Sequence, residues 1–394
     1  MANRWGRRAS FVLAVPALLI AFSLPAQAQD YVFTRMADSV ENRFSPFGFG
    51  CSSINNRGAV GFKADRVRAG TLVPGIYRVN PGGHLTTIAQ DRGRFDFIES
   101  NPSMNDGGEV SFLARLGAAG NFELEVLRGN GRRLKTIAST ADRFSQFGSY
   151  NSVNNDGVVA FKAQLDNFDE GLFSASNRGP RNLTVHYLAS NSPFSAFGSR
   201  SRPSINNLGE VAFEEQVDDV FASGIFVTHE GSLETVAPPD PEVSVDRPTL
   251  NDAGTAAFHR SFIDDGTGEF VEELVTGSGG TLTTIADTTG PFQAFGFWFG
   301  FQAPALNNEG GVAFGADLDS PVSPPPNGIF VGPDPVSDRV IETGDTLGGL
   351  TVEDLLFCEE GLNDSGQLSF VATFDDPSTP EGVREAVYRA TPRP

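Results

Sequence analysis

Short apolar segments recur along the chain, and several of them alternate large and small side chains. Val159 and Phe161 flank Ala160. The same order returns at Val211-Ala212-Phe213, Val312-Ala313-Phe314 and Leu368-Ser369-Phe370. Because neighbouring side chains point to opposite faces of a strand, this alternation predicts β-strands with one bulky and one flat face. Sheets of such strands can stack, since a phenylalanine of one sheet fits over a small residue of the next.

Each of these segments follows an asparagine and a glycine at a fixed distance. The pattern of Asn, Gly three residues later and Phe four residues after that occurs at Asn55/Gly58/Phe62, Asn105/Gly108/Phe112, Asn154/Gly157/Phe161, Asn206/Gly209/Phe213, Asn251/Gly254/Phe258, Asn307/Gly310/Phe314 and Asn363/Gly366/Phe370. A period of about 50 residues built from short strands is typical of β-propeller blades. The sequence therefore predicts an all-β protein, a seven-bladed β-propeller with four-stranded blades.

Four strands, named A to D, can be assigned in each repeat. Strand A begins in a segment rich in Phe and Gly and ends just before the Asn, and strand B follows the Gly. An example of strand C is Gly171-Leu172-Phe173, and an example of strand D is Leu134-Lys135-Thr136-Ile137-Ala138. The Asn and Gly fall in the turn between strands A and B, where Asn caps the backbone and Gly accepts a positive φ. Their recurrence in every blade favours a structural role over ligand binding.

The two ends of the chain predict how the ring closes. The run from Tyr31 to Ala37 matches strand D, although no strand A, B or C precedes it. The seventh repeat has strands A and B and a C-like run at Glu385-Ala386-Val387-Tyr388, and then the chain stops. We expect the N-terminal strand to pair in the last blade, which removes two open sheet edges.

Residues 1–28 have the features of a signal peptide. Three arginines precede an apolar run from Phe11 to Leu24, and Ala26-Gln27-Ala28 supplies the small residues of a cleavage site. We expect cleavage after Ala28 and a single propeller domain over 29–394, secreted or periplasmic. Export by the Sec or the twin-arginine route stays open.

The net charge limits the classes of partner that the protein can bind. The formal charge is −20, and without the three leader arginines it is near −23, which argues against nucleic acid and anionic lipid as partners. No later stretch approaches the roughly 20 apolar residues of a membrane span. We also expect a monomer.

Cys51 and Cys358 lie close to the Asn of the first and seventh repeats, which are neighbours in a closed ring. They predict a disulfide in an oxidising compartment.

These repeats resemble exported bacterial proteins with tandem NxxGxxAF repeats, the choice-of-anchor repeat family. The segments Gly344-Asp345-Thr346-Leu347-Gly348-Gly349 and Gly361-Leu362-Asn363-Asp364-Ser365-Gly366-Gln367 look like that family's closing repeat. The resemblance implies an extracytoplasmic repeat protein without an established activity. The chain lacks the hydrophobic C-terminal tail of the anchored members, which leaves surface attachment open.

A binding site should break the symmetry of the repeats. The residues four before each Asn are expected near the central channel, and they are Cys51, Asn101, Tyr150, Arg202, Arg247, Ala303 and Glu359. With the residues six before the Asn, this predicts a channel-mouth site of Glu99, Tyr150, Arg200, Arg202, Arg247 and Glu359. Arginines beside a tyrosine suit an acidic sugar or another carboxylate ligand, because guanidinium binds oxyanions bidentately. The alternative is a set of ion pairs lining a wet channel.

The sequence offers little catalytic or metal chemistry, and the catalytic residues stay unknown. The four histidines fall on or near outer strands of four different blades and predict no metal site: His84, His186, His229 and His259. Acidic residues gather in the loops between strands B and C, for example Asp264-Asp265 and Asp375-Asp376. They suit either a solvated rim or Ca²⁺, and no other cofactor is expected.

Three functions are compatible with these features. We expect a binding or interaction module for a glycan or protein ligand outside the cytoplasm. The alternatives are an extracellular lyase or glycoside hydrolase on acidic polysaccharide and a structural component of the cell envelope or matrix.

Overall fold

The computed structural model describes residues 30–117, 122–192, 194, 202–217, 222–230, 232–296 and 303–393. The predicted signal peptide lies outside these ranges. The described chain folds into seven antiparallel sheets arranged as the blades of a propeller, which confirms the predicted fold.

Each repeat supplies one blade. The strands up to the end of blade 3 are β1 (Tyr31–Asp38), β2 (Ser52–Ile54), β3 (Val60–Arg68), β4 (Thr71–Val79), β5 (Leu85–Gln90), β6 (Phe95–Ile98), β7 (Ser103–Met104), β8 (Val110–Leu116), β9 (Glu123–Gly129), β10 (Leu134–Ser139), β11 (Phe144–Val153), β12 (Val159–Leu165), β13 (Glu170–Ala175) and β14 (Leu183–Leu188). Blades 1, 2 and 3 comprise β2–β5, β6–β10 and β11–β14.

The remaining strands build blades 4 to 7. They are β15 (Ser204–Ile205), β16 (Val211–Val217), β17 (Ala222–His229), β18 (Ser232–Ala237), β19 (Val243–Leu250), β20 (Ala256–Ile263), β21 (Phe270–Ser278), β22 (Thr281–Asp287), β23 (Phe292–Phe295), β24 (Ala305–Leu306), β25 (Val312–Leu318), β26 (Asn327–Phe330), β27 (Arg339–Glu342), β28 (Thr346–Leu347), β29 (Leu350–Leu362), β30 (Leu368–Asp375) and β31 (Val383–Pro392). Short 3₁₀ turns at Pro180–Asn182 and Ala189–Asn191 flank β14.

The N-terminal strand closes the ring as predicted. β1 pairs antiparallel with β31, with a register from Tyr31 opposite Pro392 to Asp38 opposite Ala386. Blade 7 thus takes strands A, B and C from the C-terminal end of the chain and strand D from its N-terminal end.

The repeated phenylalanines fill the spaces between blades. All seven are buried, and each shares a hydrophobic cluster with residues of the preceding blade. Phe213 of blade 4 shares a hydrophobic cluster with Ala160 of blade 3, and Phe62 of blade 1 shares one with Val371 of blade 7. The large-small alternation therefore serves contacts between blades, because each sheet presents its flat face to the bulky face of the next.

The repeated asparagine both caps its own turn and joins its blade to the next. In blade 3, Asn154 Oδ1 accepts the N–H of Val158 at 2.9 Å, and Asn154 Nδ2 donates to the carbonyl oxygen of Asn206 at 3.0 Å. The equivalent interblade bonds, 2.9–3.2 Å long, run around all seven blades and close from Asn363 to Asn55. The seven repeated glycines have φ between 71° and 84°, as the turn requires.

A second closed ring lies one residue further along each turn. Each member of this ring donates its backbone N–H to the side-chain Oδ1 of the next member, at 2.8–2.9 Å. The members are Asn56, Asp106, Asn155, Asn207, Asp252, Asn308 and Asp364. We call these fourteen hydrogen bonds the two turn rings. They tie blade 7 to blade 1 in the same way as any other neighbouring pair.

The predicted disulfide is confirmed. Cys51 and Cys358 are bonded, with their Cα atoms 5.7 Å apart and a sequence separation of 307. The bond joins blade 1 to blade 7, at the point where the two ends of the chain meet.

Candidate functional site

Strand A of each blade lines the central channel, and its side chains define the candidate site. Arg202 lies just before β15 and is buried. Its guanidinium pairs with Glu359 through Nη1 and with Glu360 through Nη2, the latter at 2.9 Å. Nη2 also donates to the carbonyl oxygen of Asn151 at 3.4 Å. We call Arg202, Glu359 and Glu360 the channel ion cluster.

Sequence reasoning missed Glu360. Regular alternation would direct consecutive residues to opposite faces, so only Glu359 was expected in the channel. The pairing of β29 with β30 is irregular between Phe357 and Leu362, and this bulge lets both carboxylates reach Arg202. Glu360 Oε2 also accepts the N–H of Met104 at 3.1 Å, in place of the serine hydroxyls that serve this role in blades 3 to 5.

Burial and mutual attraction set the ionisation of the channel ion cluster. Burial opposes the charge of Arg202, but the two carboxylates outweigh it and raise the pKa of Arg202 above its usual value. Burial also raises the pKa of Glu359, yet the charges of Arg202 and Arg247 and the hydrogen bond from Arg202 hold that pKa below its ordinary value. For Glu360 the effect of burial dominates, and its pKa is raised.

Arg247 differs from Arg202 in its surroundings. It lies in a bulge of β19, between Asp246 and Thr249, with φ of 53°. Its side chain is half-buried, and none of the described carboxylates forms an ion pair with its guanidinium. It lies near enough to Glu359 to lower the pKa of that residue. Tyr150, also half-buried, contributes to the electrostatic environment of Arg202.

The structure therefore brings together four of the six predicted site residues: Tyr150, Arg202, Arg247 and Glu359. Glu99 lies near Lys63 instead, whose Nζ donates to the carbonyl oxygen of Ile98 at 2.9 Å. Arg200 lies outside the described residues.

The channel ion cluster forms the floor of a central cavity. This cavity of about 160 Å³ extends from the two turn rings to Arg202, Glu359 and Glu360. Its lining is polar and hydrogen-bonded, because the ring asparagines and aspartates already bond to each other. The side chains of Tyr150 and Arg247 do not line this cavity.

The position of His259 corrects one expectation. It lies on β20, the second strand of its blade, and is buried instead of lying on or near an outer strand. Its Nδ1 is 3.7 Å from Asp246 Oδ1 and its Nε2 is 3.9 Å from Glu272 Oε1. Burial lowers the pKa of His259, with a further decrease from Arg247 and an opposing effect of Glu272.

The acidic loops cap their own turns. Asp264 accepts the backbone N–H groups of Gly266 and Thr267 at 3.0 and 2.8 Å, and these bonds lower its pKa. Within the described ranges, no three His, Cys, Asp or Glu side chains converge as a metal-binding group. Binding of Ca²⁺ stays a prediction.

The disulfide bears on the location of the protein. Disulfides persist mainly outside the cytoplasm, so the bond between Cys51 and Cys358 is consistent with a periplasmic or extracellular protein. None of the helical segments in the described part of the chain has the length and apolar character to cross a membrane. The signal peptide stays a prediction.

Several solved structures match the chain at low sequence identity. Polysaccharide lyase Uly1 matches with 10% identity and a TM-score of 0.50, over 87% of this chain and 89% of that chain. TolB from Acinetobacter baumannii matches with 11% identity and a TM-score of 0.37, over 84% of this chain and 79% of that chain. The acylaminoacyl peptidase of Pyrococcus horikoshii matches with 9% identity and a TM-score of 0.48, over 82% of this chain and 49% of that chain. These likenesses concern the fold alone.

No curated protein matches the chain. One family model matches it over residues 32–242 and 241–389, which together include all seven blades. The chain belongs to the family of unknown function DUF7453.

Proposed function

We propose that the protein is an extracytoplasmic binding module that recognises an acidic ligand, such as a uronic-acid oligosaccharide, in the channel at Arg247. The observation that carries this proposal is the contrast between the two channel arginines. Arg202 is balanced by two carboxylates, whereas Arg247 is half-buried without an ion-pair partner among the described carboxylates.

The backbone of Arg247 supports a ligand-binding role. A non-glycine residue with positive φ is uncommon and costs about 1 kcal/mol or more, and such residues cluster at functional sites. The bulge lies on the first strand of blade 5, and Arg247 is near enough to Glu359 to lower its pKa, in a protein with a formal charge of −20. A guanidinium without an ion pair to the described carboxylates can bind a ligand carboxylate with two parallel hydrogen bonds, while Tyr150 offers a hydroxyl and a ring nearby.

Other features are compatible with this assignment. The disulfide fits an extracytoplasmic module, and the resemblance to exported NxxGxxAF repeat proteins, which the family match does not test, implies the same compartment. In this proposal the channel ion cluster supports the site by fixing strand A of blades 4 and 7, and it does not contact the ligand.

A glycan array followed by titration calorimetry with oligogalacturonate tests the proposal. Arg247→Ala should weaken binding about tenfold or more, and Arg247→Lys should recover only part of the affinity, since lysine keeps the charge but not the bidentate geometry. Arg132→Ala, at an exposed position in a loop of blade 2, is the matched control and should leave affinity unchanged.

The alternatives give different results in the same experiment. Shortened oligosaccharides appearing during the titration would identify a polysaccharide-active enzyme instead. If no acidic glycan binds the wild-type protein, or if Arg247→Ala binds as well as the wild type, the proposed site is wrong.

A further inference from the structure

A second cleft lies between blades 3 and 4, and its lining shares no residue with that of the central cavity. It encloses about 890 Å³ between β14 on one side and the adjoining ends of β17 and β18 on the other. We call it the blade 3–4 cleft. The five predicted site residues that the structure describes take no part in it.

β14 presents its edge to this cleft. Four consecutive residues of the strand line the cleft, from Thr184 to Tyr187. Since neighbouring side chains on a strand point to opposite faces, four in a row mean that the cleft runs along the strand edge and not along one face. β14 is the last strand of its sheet and pairs only with β13 among the described strands. Within the described part of the chain, its outward N–H and C=O groups are thus available to a further strand.

Large apolar side chains are exposed along the same cleft. Leu208 is 70% exposed, Val185 47% and Leu233 45%. They come from three different segments, β14, the turn of blade 4 and β18, and the cleft gathers them. Apolar side chains in a group beside a free edge mark an interaction surface, whereas single exposed ones need no explanation.

The charge of the cleft is negative. His229 lies between two carboxylates, with Nδ1 2.6 Å from Glu210 Oε1 and Nε2 2.8 Å from Glu234 Oε2. Glu230 is exposed on the adjoining loop. The described residues that line the cleft include no lysine or arginine. Even with His229 protonated, these three carboxylates leave a net negative charge.

We propose that the blade 3–4 cleft binds an extended peptide segment in which basic and apolar side chains alternate. The segment adds a strand to the edge of β14, so main-chain hydrogen bonds supply affinity. The apolar side chains of the bound segment lie against Leu208 and Leu233 of blade 4. Its basic side chains meet the carboxylates beside His229, and this charge complementarity selects a basic partner over an acidic one.

Fluorescence anisotropy with a short fluorescein-labelled peptide of alternating valine and arginine tests the proposal on the full-length protein. The labelled peptide should bind, and the same peptide with glutamate for arginine should bind at least about tenfold more weakly. A version N-methylated at every residue lacks the backbone donors on both edges and should also lose affinity, because the added strand can no longer donate hydrogen bonds to β14 in either direction.

Variants place the interaction in the cleft. Leu208→Asp and Glu230→Lys, both at exposed positions, should together reduce affinity by about tenfold or more while leaving the melting temperature unchanged. Val336→Asp and Glu353→Lys make the same chemical changes at exposed positions of blades 6 and 7 and should have no effect.

Three results would overturn the inference. The first is equal binding of the arginine and glutamate peptides, and the second is full affinity of the N-methylated peptide. The third is full affinity in the Leu208→Asp/Glu230→Lys variant. None of these results depends on the channel, so the experiment tests this cleft independently of the proposed acidic-ligand site.

Discussion

At the scale of single residues, the two channel arginines separate a structural role from a binding role. Arg202 is held by Glu359 and Glu360, and its removal leaves two buried carboxylates without a counter-charge. Breaking a buried ion pair by removing one partner typically costs about 3–5 kcal/mol, whereas a change at a half-exposed residue stays within about 0.5 kcal/mol.

We therefore predict that Arg202→Met lowers the free energy of unfolding by about 3 kcal/mol and that Arg247→Met changes it little. Urea denaturation at neutral pH measures both. The triple variant Arg202→Met/Glu359→Gln/Glu360→Gln is the control, and it should recover much of the loss because no buried charge remains. Equal effects of the two arginine variants would contradict the assignment.

Glu385 gives a prediction on pH dependence. Burial raises its pKa to about 7, with a further increase from Asp354. Its folded-state pKa is thus above the unfolded value, so the folded state holds the proton more tightly. Its contribution to stability is full below about pH 4.5 and is lost as the pH rises through 7.

Glu385→Gln should remove this dependence, because glutamine stays neutral. We expect the variant to gain about 2 kcal/mol of unfolding free energy relative to wild type between pH 4.5 and pH 8. Urea denaturation over that range measures the difference. The unfolding free energy of Glu353→Gln, at an exposed position of the same blade, should depend on pH in the same way as that of wild type. If Glu385→Gln also keeps the pH dependence of wild type, Glu385 does not titrate in this range.

At the scale of elements, the turn between strands A and B carries two functions in one side chain. Asn154 caps the turn through Oδ1 and reaches the next blade through Nδ2. Asn154→Asp keeps the cap but loses the donor, and it sets a carboxylate against the carbonyl oxygen of Asn206. Asn154→Ala loses both interactions.

We predict that each substitution lowers stability by about 1–3 kcal/mol, since each leaves a buried carbonyl oxygen without its donor. Thermal unfolding followed by circular dichroism measures the loss. Asn182→Ala, in an exposed 3₁₀ turn, is the matched control and should change stability by less than about 0.5 kcal/mol. If Asn154→Asp is as stable as wild type, the interblade hydrogen bond of Asn154 does not contribute to stability.

The strands themselves could be predicted because each blade repeats the same local pattern. Strand D was expected at Leu134–Ala138, and β10 spans Leu134–Ser139. Strand A was harder, because bulges and breaks interrupt its alternation, as between β6 and β7 in blade 2 and between β23 and β24 in blade 6. Alternation could not show that Glu360 enters the channel, since the bulge in β29 is fixed by its pairing with β30.

At the scale of the whole molecule, three kinds of bond close the ring between blades 1 and 7. β1 completes blade 7, the two turn rings pass from Asn363 to Asn55 and from Asp364 to Asn56, and a disulfide joins Cys51 to Cys358. The closure was predictable from the unmatched strand D at the N-terminus. The candidate site was predictable only in part, because the pairing of Arg202 with Glu359 joins residues 157 positions apart and depends on how the ring is folded.

Deleting residues 30–38 tests the closing strand. The deletion leaves β31 as an exposed edge and uncovers Phe370 and Tyr388, which pack in the same cluster as Tyr31. We expect self-association in size-exclusion chromatography and a lower melting temperature, because a free edge beside apolar surface invites pairing with another chain. A monomeric deletion variant with an unchanged melting temperature would contradict the role of β1. Deletion of only Arg393 and Pro394, beyond β31, is the control.

The disulfide and β1 act on the same closure, and their effects should therefore depend on each other. In the chain-entropy model, a disulfide that closes a loop of this length stabilises by about 5–6 kcal/mol, so Cys51→Ser/Cys358→Ser should lower the unfolding free energy by several kcal/mol. When β1 is absent, the disulfide is the covalent link that still holds blade 7 against blade 1, and its removal allows blade 7 to separate before the rest of the ring unfolds. We predict that the cysteine substitutions and the β1 deletion together cause a second, lower-temperature transition in calorimetry that neither change causes alone. Additive effects on a single transition would show that the two closures stabilise the ring independently, since independent sites add and coupled sites do not.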